Sequence, residues 1–124
     1  SANPLVCVAG HQTLISMYED NLIHNSEKLG VVLHQELNKL KYKYPNHIKH
    51  VMGKGLLAAL IFQNQESERL SALCDLICEK AFQKGLLVVH TGRESIKLAP
   101  PLSISKDALL EGVAVLDECI RESI

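Results

Sequence analysis

The sequence has 124 residues, enough for one domain that buries roughly two-thirds of its unfolded surface. Its apolar content of 47% and charged content of 22% are those of a globular domain, and its net charge of −1 argues against nucleic-acid or anionic-membrane partners. No apolar run approaches the roughly 20 residues that cross a bilayer and no signal peptide is visible, so we expect no membrane partner. We expect a cytoplasmic location, because the cysteine pattern favours free thiols in a reducing compartment.

The chain opens on a helix that the sequence predicts over Pro4–Tyr18. Asn3 is a helix-capping residue, and proline is favoured at the first helical position. The first turns, Leu5–Gly10, are small and apolar on every side, and such a helix needs burial on every side. We therefore expect a surface outside this sequence to cover it. Because the chain begins at its first cap without an initiator Met, we also expect it to be part of a longer protein.

A second helix is predicted over Asn21–Tyr44, with Asp20 as its cap and Pro45 at its exit. Its apolar residues recur at helical spacing, and its charged residues lie mostly off that stripe. The stripe consists of Leu22, Leu29, Leu33, Leu37, Leu40 and Tyr44.

Two short strands follow, Ile48–Val51 and Leu56–Phe62, and the segment between them is rich in glycine. The Gly53-Lys54-Gly55 segment lacks the spacing of a phosphate-binding loop, so we interpret it as a tight turn with a bulge or a close backbone approach. A third helix is predicted over Ser67–Lys84, and Gly85 provides its left-handed cap.

A second hairpin is predicted between Leu86–Val89 and Ser95–Leu98, with a polar turn at His90–Glu94. Pro100 and Pro101 stop the second run, because proline cannot donate to a strand ladder. Ser105 then caps a last helix, Lys106–Ser123. The element order α-α-β-β-α-β-β-α predicts an α+β fold: a small, mainly antiparallel sheet preceded by two helices, with the last two helices packed on one face.

Few residues offer chemistry of their own. Cys74 and Cys78 lie four apart on one helix, but no further ligand motif completes a metal site, so we predict no metal. All four cysteines fall in helical patterns, which favours free thiols in a reducing compartment. His90 is interpreted as a plain turn residue. The sequence contains no catalytic motif, so we expect no catalytic residue in this chain.

Lys97 is the main candidate for a binding residue. It stands between Ile96 and Leu98 on a short strand, so its side chain must point to the face opposite theirs. Two interpretations remain open: a lysine on the solvent side of an edge strand, or a cation that contacts a substrate carboxylate. Arg93 is a second candidate, although a turn position favours exposure to solvent.

Five short motifs occur in register over essentially all 124 residues, and together they resemble one family. They are Asn3-Pro4-Leu5, Leu29-Gly30, Val51-Met52-Gly53-Lys54-Gly55-Leu56-Leu57, Lys84-Gly85-Leu86-Leu87 and Ile96-Lys97-Leu98-Ala99-Pro100-Pro101-Leu102. In this order they resemble the C-terminal small domain of class III pyridoxal-phosphate-dependent aminotransferases, in the ornithine, acetylornithine and 4-aminobutyrate branch.

The resemblance implies a fold type I enzyme that works as a homodimer on small amino and oxo acids. Pyridoxal phosphate would be bound by a lysine of a large domain upstream of residues 1–124, so we expect no cofactor-binding residue here. The domain would close the site and present Lys97 to a carboxylate. The family usually has arginine at this position, and lysine cannot reproduce its bidentate fork. The family also usually has arginine where Met52 stands.

Two alternatives remain open at this point. The same scaffold supports other pyridoxal-phosphate reactions, such as decarboxylating transamination or an aminomutase reaction. The chain could also be a free-standing α+β binding module without enzymatic activity. An upstream large domain would distinguish the enzyme from the module.

Overall fold

The computed structural model describes residues 2–124, and its elements follow the predicted order. Within these residues no helix is both long and apolar enough to cross a membrane. The elements are α1 (Pro4–Glu19), α2 (Leu22–Lys43), β1 (Ile48–Lys54), β2 (Leu57–Phe62), α3 (Ser71–Gln83), β3 (Val89–His90), β4 (Ser95–Leu98) and α4 (Lys106–Ser123).

The sheet has the strand order β1-β2-β4-β3, and each neighbouring pair is antiparallel. Side chains alternate along its strands: Ala58, Leu60 and Phe62 of β2 are buried, as are Ile96 and Leu98 of β4. One face of the sheet therefore forms the core and the other is open. The predicted α+β class and the predicted antiparallel sheet are both confirmed.

The helices lie in a different arrangement from the predicted one. Of the last two helices only α3 packs on the sheet, against β2, β3 and β4, and α2 packs on β1 and β2 as well. The last helix, α4, lies against α2 and α3. The reason is the leucine stripe of α2, whose members are almost fully buried in the same core as the inner face of the sheet. These members are Leu29, Leu33, Leu37 and Leu40.

The β1–β2 turn is tight, and α2 passes directly over it. Lys54 pairs with Leu57, and Gly55 adopts a left-handed φ of 61°. A Cβ added to Gly30 of α2 would lie 2.5 Å from the Gly55 Cα. The predicted close backbone approach is thus confirmed at Gly55. The predicted turn is shifted, because Gly53 and Lys54 still belong to β1 and the turn lies at Gly55-Leu56. No bulge occurs at these glycines; the shift of register in β1 lies between Ile48 and His50.

The predicted helix caps are partly right. The Asn3 Oδ1 accepts a hydrogen bond from the Leu5 N–H at 2.9 Å, and the Ser105 Oγ accepts one from the Ala108 N–H at 3.2 Å. The prediction that Asp20 caps α2 is wrong. Asp20 ends α1, donating its N–H to the Ser16 carbonyl, and Asn21 precedes α2 in a left-handed conformation. Only these two residues join the helices. Asp20 is therefore the C-cap of α1, and the N-cap position of α2 falls to Asn21.

Several element boundaries differ from the predicted ones. β1 extends to Lys54 rather than Val51, and at α3 and β3 backbone pairing competes with local preference. α3 begins at Ser71 rather than Ser67, since the Leu70 N–H donates to the Phe62 carbonyl at 3.0 Å and extends the end of β2. β3 is confined to Val89–His90, so His90 lies in a strand and not in the turn. Upstream, Gly85 has the predicted left-handed φ, at 82°, and caps α3.

Candidate functional site

The candidate site is the open face of the sheet around Lys97. In β4, Lys97 pairs with Ala59 of β2 on one side and with Val89 of β3 on the other. Its neighbours Ile96 and Leu98 are buried in the core, so the Lys97 side chain lies on the open face and is exposed. The orientation agrees with the prediction. The solvent-side interpretation agrees with the exposure of Lys97, but its edge-strand part is wrong, because β4 lies between β2 and β3 inside the sheet.

The charges on this open face share one sign. Among the paired positions of residues 48–98 that lie on it, none is acidic. Lys97 also has no hydrogen bond or ion pair within the described part of the chain, so its ammonium is available to an anion. The other side chains on this face are His50, Met52, Lys54, Leu57, Ala59, Ile61, Val89 and Ser95.

The second candidate, Arg93, belongs to a different cluster. Its Nε lies 3.5 Å from the Oε2 of Glu94, a buried carboxylate that also lies 3.6 Å from the Nε of Arg69. Gln63 donates to the other Glu94 oxygen at 3.0 Å. Arg93 precedes Lys97 by four positions, about 13 Å along an extended chain, so the two cations do not form one site. The partners of Glu94 depend on tertiary contacts, which the sequence did not reveal.

His90 holds the β3–β4 turn against α3. Its Nδ1 lies 2.7 Å from the Asp75 Oδ1, and its Nε2 lies 2.7 Å from the Arg93 carbonyl oxygen. Ser71 donates to the same carbonyl. Both ring nitrogens face acceptors, and only the protonated imidazole can donate to both. The Arg93 carbonyl and the Asp75 carboxylate therefore raise the pKa of His90 above its ordinary value of 6.5.

This geometry predicts a pH-dependent contribution of His90 to stability. The contribution should be complete below the unfolded pKa of His90 and should be lost as the pH rises through its raised folded pKa. In the Asp75→Asn variant we expect the pKa of His90 to fall, though not fully to its ordinary value, because the Arg93 carbonyl remains. An NMR titration of the imidazole measures this pKa, with Asp107→Asn in α4 as the control. Identical His90 pKa values in wild type and Asp75→Asn would contradict the assignment.

The cysteines form no metal centre within residues 2–124, where no group of three or more His, Cys, Asp or Glu side chains is placed to hold a metal ion. All four cysteines are free. Burial, followed by the nearby Cys78 thiol, raises the pKa of Cys74 to about 12, so this thiol stays protonated and has little tendency to bind metals. Burial likewise raises the pKa of Cys78 and of Cys119.

Pyridoxal phosphate is held in proteins by a lysine that forms its covalent link and by hydrogen-bond donors around its phosphate. A groove of about 320 Å³ lies beneath the Pro100-Pro101 bend, between β4 and α4, but apolar residues line it and it contains no lysine. Lys97 stands on the open sheet face instead. No cofactor step is therefore assigned to this chain.

Comparisons with known proteins agree on one family. The sequence profile described as aminotransferase class-III matches residues 1–120. The mitochondrial ornithine aminotransferase of Arabidopsis thaliana is 34% identical over 119 residues, which cover 96% of this chain and 25% of that protein.

Solved structures show the same fold. The acetylornithine aminotransferase of Elizabethkingia anophelis has a TM-score of 0.84 at 33% identity, over 97% of this chain and 29% of its own. An aminotransferase of Bacillus anthracis has a TM-score of 0.88 at 23% identity, over 97% of this chain and 28% of its own. The chain thus spans about a quarter of the length of the proteins it matches.

Proposed function

The chain belongs to the class III aminotransferase family, and we propose that it forms the C-terminal small domain of a pyridoxal-phosphate-dependent transaminase. The whole enzyme would move an amino group between an amine or ω-amino acid, of the ornithine or 4-aminobutyrate type, and a 2-oxo acid. The observation that carries this proposal is the family match over residues 1–120, in a chain that spans about a quarter of the length of the proteins it matches.

The role of this domain is to bind a carboxylate. The Lys97 ammonium, unpaired on a face without acidic side chains, would donate hydrogen bonds to a substrate carboxylate and orient the substrate towards the large domain. A hydrogen bond between two charged groups is stronger than one between neutral groups, and it strengthens further when surrounding apolar side chains exclude water. The cofactor supplies the chemistry of amino transfer, while this domain supplies binding and orientation.

The large domain of the same protein and a second copy of the enzyme are the proposed partners. Helix α1 supports this part of the proposal, because it has no buried residue although its first turns, Leu5–Gly10, are apolar on all sides. Leu5 is 77% exposed and Val8 is 67% exposed. A helix of this composition is stable only when other surfaces cover it. We propose that the large domain and the partner subunit of a homodimer cover it. The cytoplasmic location remains a proposal as well, and the Arabidopsis thaliana relative is named mitochondrial.

The direct test compares two forms of the protein. The full-length form, supplied with pyridoxal phosphate, should transfer the amino group of ornithine or 4-aminobutyrate to 2-oxoglutarate and should show the visible absorbance of bound cofactor. Residues 1–124 alone should show neither property, because we propose that the cofactor-binding lysine lies in the large domain. Product analysis separates transamination from decarboxylating transamination and from an aminomutase reaction. If the gene encodes no large domain, or if the full-length form binds no cofactor, the proposal is wrong.

A further inference from the structure

We propose that Ala59 determines how bulky a carboxylate can be when it binds at Lys97; this inference rests on the proposed function. Four residues form one row across the open face of the sheet: Met52 of β1, Ala59 of β2, Lys97 of β4 and Val89 of β3. Cβ atoms of directly opposed residues in such a row lie about 4.5–5.5 Å apart. Ala59 is therefore an immediate neighbour of Lys97.

The alanine leaves a notch in the surface of the sheet. Its side chain ends at Cβ, whereas Met52 beyond it is 57% exposed and extends above the sheet. Along β2, Leu57 and Ile61 lie on the same face, each about 7 Å from Ala59 at a two-residue step. The notch thus has apolar side chains on three sides and the Lys97 side chain on the fourth.

The two neighbours of Lys97 differ in the room they leave. On the β3 side, Val89 places a branched side chain next to Lys97 and is 45% exposed. On the β2 side, Ala59 leaves space. The four-carbon stem of Lys97 is long enough to place its Nζ over Ala59 when the side chain lies along the row, and a carboxylate bound there would have its first carbon atoms close to this row. We infer that these carbons lie over Ala59, where Met52 and Leu57 offer apolar contact. The site would therefore accept carboxylates with alkyl substituents near the carboxylate group.

Larger residues at position 59 test this inference without disturbing the core. The Ala59 side chain points to the open face, so valine or leucine there would extend into the notch and not into the packed interior. Branched side chains are also favoured in strands. Ala72→Leu serves as the matched control, because it makes the same enlargement at an exposed position of α3.

The experiment measures dissociation constants of two carboxylate probes for the full-length holoenzyme by calorimetric titration, with competitive inhibition of turnover as a second measurement. The probes are acetate, which is small, and 3,3-dimethylbutanoate, which has a bulky alkyl group next to the carboxylate. In Ala59→Leu we expect binding of 3,3-dimethylbutanoate to weaken at least tenfold and that of acetate to change less than twofold. Ala59→Val should show a smaller effect in the same direction, and Ala72→Leu should show none.

The outcomes separate this inference from the proposed function. If Lys97→Ala weakens both probes while Ala59→Leu and Ala59→Val weaken neither, or weaken both equally, the role of Ala59 is wrong and that of Lys97 stands. If Lys97→Ala changes neither probe, the carboxylate role of Lys97 is wrong and the inference fails with it. Urea midpoints of the variants show whether they fold, and Ala59→Val provides the test if Ala59→Leu does not fold.

Discussion

Replacing Lys97 with alanine in the full-length enzyme is expected to raise the KM for one carboxylate substrate by roughly 10- to 100-fold. A hydrogen bond to a charged group contributes about 1.5–3 kcal/mol, and each 1.4 kcal/mol corresponds to about a factor of ten in binding. Because the contact is made to a part of the substrate that does not react, kcat at saturation should change much less. Steady-state kinetics with each amino donor and oxo acid in turn would identify the affected substrate.

Two further variants control this prediction. Lys54→Ala removes a lysine from the same open face, at the far end of β1, so it tests whether the general positive charge of that face matters. We expect less than a twofold change in KM. Lys97→Arg introduces the guanidinium that the resemblance implies for this position, and its bidentate fork should keep the KM at or below the wild-type value. Unchanged kinetics of Lys97→Ala with every substrate would remove Lys97 from the site.

Replacing Gly30 with alanine is expected to destabilise the domain by about 2–3 kcal/mol, because the added methyl group has no room. The new Cβ would lie 2.5 Å from the Gly55 Cα, 2.7 Å from its carbonyl carbon and 2.9 Å from its carbonyl oxygen. All three are backbone atoms of a tight turn, which cannot rotate away as a side chain could. The whole turn would have to move away from α2. Urea denaturation would report the loss as a lower midpoint.

Gly10→Ala is the matched control. Gly10 also lies in the middle of a helix, but a Cβ there would meet nothing within 4 Å. Alanine in a helix interior is favoured over glycine by roughly 0.5–1 kcal/mol, so Gly10→Ala should stabilise the domain slightly. If Gly10→Ala stabilises the domain and Gly30→Ala destabilises it, the contact between Gly30 and the Gly55 backbone, and not helix propensity, accounts for the loss of stability in Gly30→Ala. A Gly30→Ala variant as stable as wild type would contradict the observed close approach.

Local patterns predicted most of the elements but not how they come together. The leucine stripe of α2 and the capping residues Asn3 and Ser105 depend on neighbours within one or two turns, and they were predicted correctly. The start of α3 was wrong because Leu70 pairs with Phe62, a contact between two elements. The prediction also missed that β4 lies inside the sheet. This position depends on the pairing of β4 with β2, and α3 separates these two strands in the sequence.

In the candidate site, too, the features that depend on local sequence were predicted and those that depend on contacts between elements were not. Lys97 could be singled out because a charge between two core residues must lie on the opposite face of a strand. Ala59 and Val89 could not be identified as its neighbours, because the sequence of a single strand does not determine its register with the adjacent strands. His90 was misplaced for a similar reason: its partners, Asp75 and the Arg93 carbonyl, come from a helix and a turn that only the folded chain brings together.

The shift of register in β1 between Ile48 and His50 bears on how the domain avoids aggregation. β1 lies at one border of the sheet, where unpaired backbone groups would otherwise template a strand from another molecule. A bulge distorts that ladder, and Lys49 and Lys54 add charges that repel a second copy of the same border. At the opposite border β3 has two residues, too few to recruit a foreign strand. Self-association of this sheet into fibrils is therefore opposed on both sides.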